Sequence, residues 1–467
     1  MSLNCTVVAT SPPLKVPTPH FLLIGFGAVG QGLAPLLVQA LGVAPSRITA
    51  WAADLDGAAV AQAVGISLQR QPLTPDNHAQ LLAAQLKAGD VLLNLAVEVS
   101  SHDLIAWCQQ HDVLYLDTGI EPWPGGYQPV HSLERTTNHW LREQVLALRQ
   151  PNRATAVLAH GANPGLISHL AKRALEQLAH DQGLPFTPGR WADLAQSLGV
   201  QVIQVAERDT QTDHRPVAAD EFRNTWSVPG FISELSQACE AGWGSHESTL
   251  PPGAQRPSQG SQASIYWPHP EQGLVQVKSW VPSAGDSLAW LVTHNESISL
   301  AEFLTVHDSE GQAAYRPTVY FAYQPCQQAC QSIAHWLSQH KQTPNAQNVM
   351  PLADLQRGQD ELGVLLCHSA GAYWYGSTLP LQTARDLAPH NSATTLQVAA
   401  GIVGALAWML DHPREGITEA EAMDSNQVLS VALPYLGHVG GTHTHWRPGP
   451  DWRIQNFIAP FIAPPTP

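Results

Sequence analysis

The chain has 467 residues, more than one ordinary domain holds, and its 44% hydrophobic content is ample for a core. Only 13% of residues are charged and the formal net charge is −15. That balance argues against a nucleic-acid partner and suits a cationic ligand, although solubility alone accounts for it equally well. No apolar run reaches the ~18 residues that span a bilayer, so no membrane partner is expected. Residues 1–19 lack the long apolar core of a signal peptide and read as a flexible leader. Six cysteines are scattered, and only Cys326 and Cys330 are close, at a spacing that suits one helix face. Two Cys without a nearby His do not make a zinc site, so no metal is expected and the thiols read as reduced, in a cytoplasmic enzyme.

Phe21 to Ile24 reads as a buried parallel strand. Gly25, Gly27 and Gly30 follow at Gly-x-Gly-x-x-Gly spacing, and Leu33 to Val43 continues as helix. Gly25 permits the tight turn, Gly27 lets the backbone approach a pyrophosphate, and Gly30 lets helix and strand pack closely. The helix start at Ala28 and Val29 offers free N–H groups to phosphate. Arg47 to Ala53 reads as a second strand. Asp54 follows it, placed to bond the adenosine ribose hydroxyls and repel a 2′-phosphate, which favours NAD over NADP. Asp56 is a rival for that role, and either Asp could cap the helix Ala58 to Val64.

Asp90 to Leu95 is a third β-run, Ser100 to Gln110 an amphipathic helix, and Asp112 to Asp117 a fourth strand. Strands alternating with helices predict an α/β fold, a Rossmann-type doubly wound parallel sheet. Ligands in such sheets sit at the carboxyl ends of the strands, which places Asn94, Thr118 and Glu121 near cofactor or substrate. Ala154 to Ala159 runs into His160-Gly161-Ala162-Asn163-Pro164-Gly165. Pro164 suits the first turn of a helix from Leu166 to Leu178, with Asn163 either capping it or facing the reacting centre.

The second half is less regular. Ser197 to Ala206 is β-like and ends in Glu207-Arg208-Asp209. Residues 221–234 carry Trp226 and close with Glu234. Gly242 to Pro270 is rich in Gly, Ser and Pro and reads as a long loop or lid. Leu288 to Glu296 reads as a strand delivering His294. Asp360 precedes an apolar strand at Val364 to Cys367. Thr394 to Asp411 is a buried helix, too short an apolar run to cross a membrane. From Pro434 the chain reads as loop, and His438, His443 and His445 are assigned a structural role.

Ten short segments stand in order along the chain: 25–30, 94–101, 118–123, 161–165, 206–211, 224–234, 242–247, 293–297, 360–366 and 391–398. With them the chain resembles the bacterial homospermidine synthases, within the wider saccharopine dehydrogenase-like group. The resemblance implies NAD held as a prosthetic group and regenerated every cycle. It implies oxidation of putrescine to an imine, loss of ammonia to a second putrescine, and reduction to homospermidine. Spermidine can replace the first putrescine, with diaminopropane leaving. It further implies a homodimer and an inserted α+β substrate-binding and dimerisation domain. The resulting division is 20–160 for NAD binding, 161–390 for the inserted domain, 391–433 for a helical return to the first domain, and 434–467 for a C-terminal tail.

A flexible dication must be held at both ends and lose one proton before hydride leaves its carbon. Glu234 and Asp360 are candidates for the distal ammonium. Glu207 resembles the family's substrate-facing acid. Its alternative is an ion pair with Arg208, but neighbours on a strand point to opposite faces. His294 is a candidate proton relay, because a His titrates near working pH. The family's cation-stabilising Trp falls on Trp226, whose indole face would hold amine and iminium states. Asn163 matches an amide near the nicotinamide and the amine, and Glu121 an acid at the mouth. Two alternatives remain. A saccharopine- or carboxynorspermidine-type dehydrogenase would need a cation for its substrate carboxylate, for which Arg208 and Arg223 are available. A non-catalytic NAD sensor would need none of the acids.

Overall fold

The runs Phe21–Ile24, Ile48–Ala52, Val91–Asn94 and Leu114–Asp117 are aliphatic and aromatic, bounded by turns, and almost wholly buried. Such continuous apolar runs form strands covered on both faces, as parallel sheets require. In the computed structural model, which describes residues 19–128, 132–271 and 273–460, they lie at the centre of a seven-stranded parallel sheet. The order is Ile417–Glu419, Ala156–Leu158, Leu114–Asp117, Val91–Asn94, Phe21–Ile24, Ile48–Ala52 and Ser67–Arg70. Strand order reverses beside Phe21–Ile24, and the crevice opens there, where a ligand binds in this fold. The edge strand Ser67–Arg70 and the helix His78–Gln85 carry no clear sequence signal: both are largely polar and exposed. The expected leader lies outside the described residues apart from Pro19.

A second, nine-stranded mixed sheet follows. Its path is Ser264–Trp267, Cys239–Gly242, Thr318–Gln324, Val202–Asp209, Gln359–His368, Gly371–Pro380 and His438–Thr444. A hairpin of Gln276–Val281 and Gly285–Val292 attaches through Thr318–Gln324. Only the pair Thr318–Gln324 and Val202–Asp209 is parallel; the other pairings are antiparallel. The helix Leu166–Asp181 packs its buried Leu166, Leu170, Ala174 and Leu178 into the core under this sheet.

The chain then returns. Ser392 and Thr395 form a capping box that starts the helix Ala393–Asp411. Asn391 Nδ2 donates to the Gly32 carbonyl, pinning this helix to Ala28–Gln39. At Gly401 the two halves touch so closely that a Cβ would lie 1.9 Å from the Gly161 carbonyl oxygen. A buried clamp adds to this. Glu240 accepts from the backbone N–H of Asn138 at 2.7 Å and of His139 at 3.0 Å. Its carboxylate thereby caps the helix Asn138–Leu146 of the first half from a strand of the second.

Several expectations are corrected. Helix Leu166–Asp181 starts from Gly165, so Asn163 is not its cap. Gly57, not an Asp, precedes helix Ala58–Val64. The Gly242–Pro270 stretch is not a lid. It contains strand Ser264–Trp267, and the carbonyl of Gln259 bonds the His139 ring at 3.0 Å. Asp360 lies inside strand Gln359–His368 rather than before it. Helix Ala393–Asp411 has the length and composition to cross a membrane, but 83% of that window is buried inside the protein. The tail is not loop: His438–Thr444 closes the second sheet, and Phe457 of helix Ile454–Phe457 is buried. His443 pairs with Asp181 at 2.9 Å, in keeping with a structural role.

Candidate active site

A cleft lies between the carboxyl ends of the parallel strands and the second sheet. One wall belongs to the first sheet. Gly25 has φ +94°, and a Cβ there would sit 2.8 Å from the Leu95 carbonyl oxygen. Gly30 would meet the Gly25 carbonyl oxygen at 2.8 Å. A Cβ on Gly27, by contrast, would find no atom within 4 Å. Space is thus kept open at the one glycine that must leave room for a phosphate. Helix Ala28–Gln39 starts at Gly27 without a side-chain cap and without an acid in its first turn, so its leading N–H groups remain for an anion. Asp54 is exposed just past Ile48–Ala52, and its Oδ1 accepts from the Asp56 N–H at 3.0 Å. The donor and space set fits a dinucleotide. Val29 and Thr118 line the cleft beside it.

Asn94 also lines the cleft, but its side chain is occupied internally. Its Nδ2 donates to the Val99 carbonyl at 3.0 Å and its Oδ1 accepts from the Ala96 N–H at 3.4 Å. It shapes the loop after Val91–Asn94 and, as its strand-end position predicts, stands at the cleft.

The rest of the cleft carries charge, mostly from the second half of the chain. Glu207 stands two residues before the end of strand Val202–Asp209, 5% exposed, with Oε2 accepting from Asn163 Nδ2 at 2.8 Å. Arg208 leaves by the other face and donates to Ser283 Oγ at 3.0 Å, so the ion-pair alternative fails. Desolvation, with Asp209 adding to it, pushes Glu207 up to about 8 against the pull of Asn163. Glu121, on the loop after Leu114–Asp117, accepts from the Glu98 N–H at 3.1 Å and is also pushed by desolvation up to about 8. Glu234, on helix Val228–Ser236, lines the cleft between them and His294.

His294 sits between two carboxylates, Nε2 3.5 Å from Glu234 and Nδ1 3.3 Å from Glu296, and stacks on Phe321 at 4.4 Å. Burial alone would favour the neutral ring, but Glu296 and Glu234 outweigh it and raise the imidazole to about 10. The two carboxylates favour the imidazolium, in a direction away from the near-neutral titration expected of a relay. The His294 Nε2 holds Glu234 in place from 3.5 Å. Asp360 is also corrected. It is fully buried, bonded by Thr394 Oγ1, and does not line the cleft. It stands opposite Asp209 in the sheet register, on the same face as Glu207 but sealed from the cleft.

Trp226 lies in the turn between Glu221–Asn224 and Val228–Ser236, its ring half-buried in the wall and its Nε1 donating to Tyr323 Oη at 3.2 Å. Further lining residues escaped the sequence reading: Tyr127, Asn138, Gln237, Thr293, Asn295, Phe321, Tyr323 and Thr394. For Phe321 and Tyr323 a signal existed, the β-branched and aromatic run Thr-Val-Tyr-Phe-Ala-Tyr. The others are polar residues on loops and helix starts, with nothing local to mark them.

No Lys or Arg lines the cleft among the described residues. Arg223 is buried elsewhere against Asp213, and Arg208 faces away, so neither serves a substrate carboxylate. The wall offers carboxylates, an indole face and amides, which together select an alkylammonium. Among the described residues no group of three or more His, Cys, Asp or Glu is placed to hold a metal.

Comparison with known proteins agrees with this chemistry. Residues 21–159 match the saccharopine dehydrogenase NADP binding domain, and residues 161–442 the saccharopine dehydrogenase C-terminal domain. The homospermidine synthase of Blastochloris viridis is 41% identical over 438 residues, 91% of this chain and 91% of that protein. That of Mesorhizobium japonicum is 40% identical over 440 residues, 91% and 90% of the two chains. The crystal structure of the Legionella pneumophila homospermidine synthase in complex with NAD has a TM-score of 0.87 at 39% identity, covering 95% of this chain and 98% of that one. The chain belongs to the homospermidine synthase family.

Proposed function

We propose that this chain joins two molecules of putrescine into homospermidine with release of ammonia, using NAD held by Gly25, Gly27, Ala28, Val29, Gly30, Asp54 and Thr118. The observation that carries this reading is the pairing of a phosphate-ready glycine turn with three carboxylates and one indole around the cleft, where no Lys or Arg stands among the described residues. Bound NAD supplies a two-electron acceptor at the amine-bearing carbon and gives the pair back at the end, so no redox reagent is consumed.

Glu207 takes the proton that the reacting ammonium must lose. An alkylammonium titrates near 10.4 and an ordinary Glu near 4.3, a gap of about 8 kcal/mol. Raised to about 8, Glu207 narrows that gap to about 3 kcal/mol. Asn163 Nδ2 holds the carboxylate at 2.8 Å and fixes the oxygen that receives the proton. The same acid can return its proton to the nitrogen that leaves as ammonia. Trp226 presents a π-face to the iminium without forming a covalent trap. Glu234, held by His294, and Glu121 take the distal ammonium groups. Three carboxylates thus face the three nitrogens of homospermidine. Spermidine as donor fits the same wall.

The unit we propose is a cytoplasmic homodimer. Its first domain is 20–160 completed by 391–433. Its second is 161–390 together with the strand His438–Thr444. The test is incubation of the NAD-loaded protein with putrescine, followed by product mass, ammonia and NAD redox state. Homospermidine and ammonia in equal amounts with no net NADH support the reading. Stoichiometric NADPH consumption with a carboxylated imine would replace it by the saccharopine-type alternative.

A further inference from the structure

Tyr323 lies on strand Thr318–Gln324, next to Glu207. The two are register partners across the parallel pair with Val202–Asp209, so their side chains leave the same face of the sheet. Tyr323 is buried. Its ring stacks on Phe321 at 5.6 Å and meets Phe231 edge-on at 5.5 Å. Its hydroxyl oxygen accepts the Trp226 indole N–H at 3.2 Å. Phe231 also touches Trp226, with ring centroids 5.5 Å apart. Among the described residues Tyr323 is the one acceptor that Trp226 Nε1 finds.

An indole stabilises a cation only through its face, because the ring edge is positive. Trp226 sits in a turn and is half-buried, so packing covers only part of it. A single hydrogen bond at the indole nitrogen, backed by Phe231, determines which way the ring plane turns. That bond also polarises the ring: an N–H that donates leaves more electron density in the π system, as hydrogen bonds in series do.

We propose that Tyr323 is a positioning residue of this site, fixing the indole face of Trp226 toward the amine and iminium nitrogen by accepting the indole N–H. The proposal rests on the reading of the cleft as a polyamine site. Tyr323 takes no proton from the substrate; it acts through Trp226, beside the acid that does.

The substitution Tyr323→Phe keeps the ring and its packing on Phe321 and Phe231 and removes only the acceptor. The test is a double-mutant cycle of Tyr323→Phe and Trp226→Phe, read as kcat/KM for putrescine and as putrescine Kd on the NAD-loaded protein. In the native background Tyr323→Phe should lower kcat/KM and raise Kd, each by about three- to tenfold, the fold-change of one neutral hydrogen bond. In the Trp226→Phe background, where there is no N–H to accept, the loss should shrink to about 1.5-fold or less. Equal losses in the two backgrounds would overturn the proposal. A second measurement needs no substrate. In protein labelled with 5-fluorotryptophan, the Trp226 fluorine line is identified by its absence from Trp226→Phe. It should shift or broaden in Tyr323→Phe, and an unmoved line would overturn the proposal as surely. A native protein that forms no homospermidine would sink the functional reading instead, while the fluorine line and the affinity cycle still decide the role of Tyr323.

Discussion

The two walls of the cleft are built by different means. The first-sheet wall is backbone: a glycine turn, an uncapped helix start and small side chains, with no titrating group at the Gly25–Gly30 turn itself. The second-sheet wall is side chain: Glu207, Glu234, His294 and Trp226, all held by specific partners. A ligand that never leaves can be held by fixed amides. A substrate that must gain and lose protons needs groups whose charge can change. The first wall should therefore fail sterically and the second electrostatically.

Glu207→Gln gives the sharpest break, since it preserves shape and removes the proton acceptor. Turnover should fall by about 10²–10⁴-fold, the usual size of a general-base contribution, while the melting temperature stays at or above that of the native protein. A large drop in melting temperature with activity per folded molecule intact would return Glu207 to a structural role.

Gly27→Val tests the other wall. A Cβ at Gly27 meets nothing in the protein, so the chain should fold, yet it would stand where the pyrophosphate approaches. NAD measured in the purified variant should fall to a small fraction of one per chain. Retained stoichiometric NAD would show that the loop is misplaced in this account.

Trp226 lies between these extremes. Activity should fall in the order Trp, Phe, Ala, with about a tenfold step for a cation–π loss of ~1–2 kcal/mol. Volume loss could mimic the order, so a fluorinated Trp series at 226 decides. A flat rate across it would reduce the ring to a wall of the pocket.

The acids of the cleft also make stability depend on pH. Glu207 and Glu121 are raised from 4.5 to about 8, so between those values the folded state binds more protons than the unfolded chain. Stability without amine should therefore decline as pH rises from about 4.5 to about 8. His294, raised from 6.5 to about 10, contributes stability that is full below about 6.5 and is lost progressively as pH rises to about 10. Melting temperatures from pH 5 to 9 check the sign. Putrescine should recover most of the loss at the high end, and Glu207→Gln should flatten the slope. A slope that rises with pH would contradict the assignment. The smallest effect belongs to Arg208→Ala: turnover within about twofold, because the guanidinium points away from the cleft. A large loss there would revive the carboxylate-binding alternative.

The first wall was legible because it is local. A strand, a glycine turn and a helix follow each other within about twenty residues, and each glycine has one steric reason. The acids of the second wall were found through the resemblance and through strand alternation, which separated Glu207 from Arg208. Asp360 and His294 were named for the wrong work. Asp360 was assigned to the substrate because it is acidic; register sets it on the face of Glu207, but it is fully buried against Thr394 and does not reach the cleft. His294 was given an ordinary titration, although it lies past the end of strand Gly285–Val292 between Glu296, two residues on, and Glu234 from a distant helix, which together favour the charged ring. The closing strand His438–Thr444 was missed because its Gly- and His-rich edge carries no apolar alternation.

Sequence by itself determined the parallel sheet, the glycine cradle and the face from which Glu207 projects, since those follow from the two-residue strand period and from sterics between near neighbours. Only the tertiary structure decided which polar groups share the cleft and in what charge state. Tyr323 meets Trp226 from 97 positions away, and Glu240 reaches Asn138 from 102. Desolvation and opposing charge depend on what the fold brings close, and no local pattern in the chain records that.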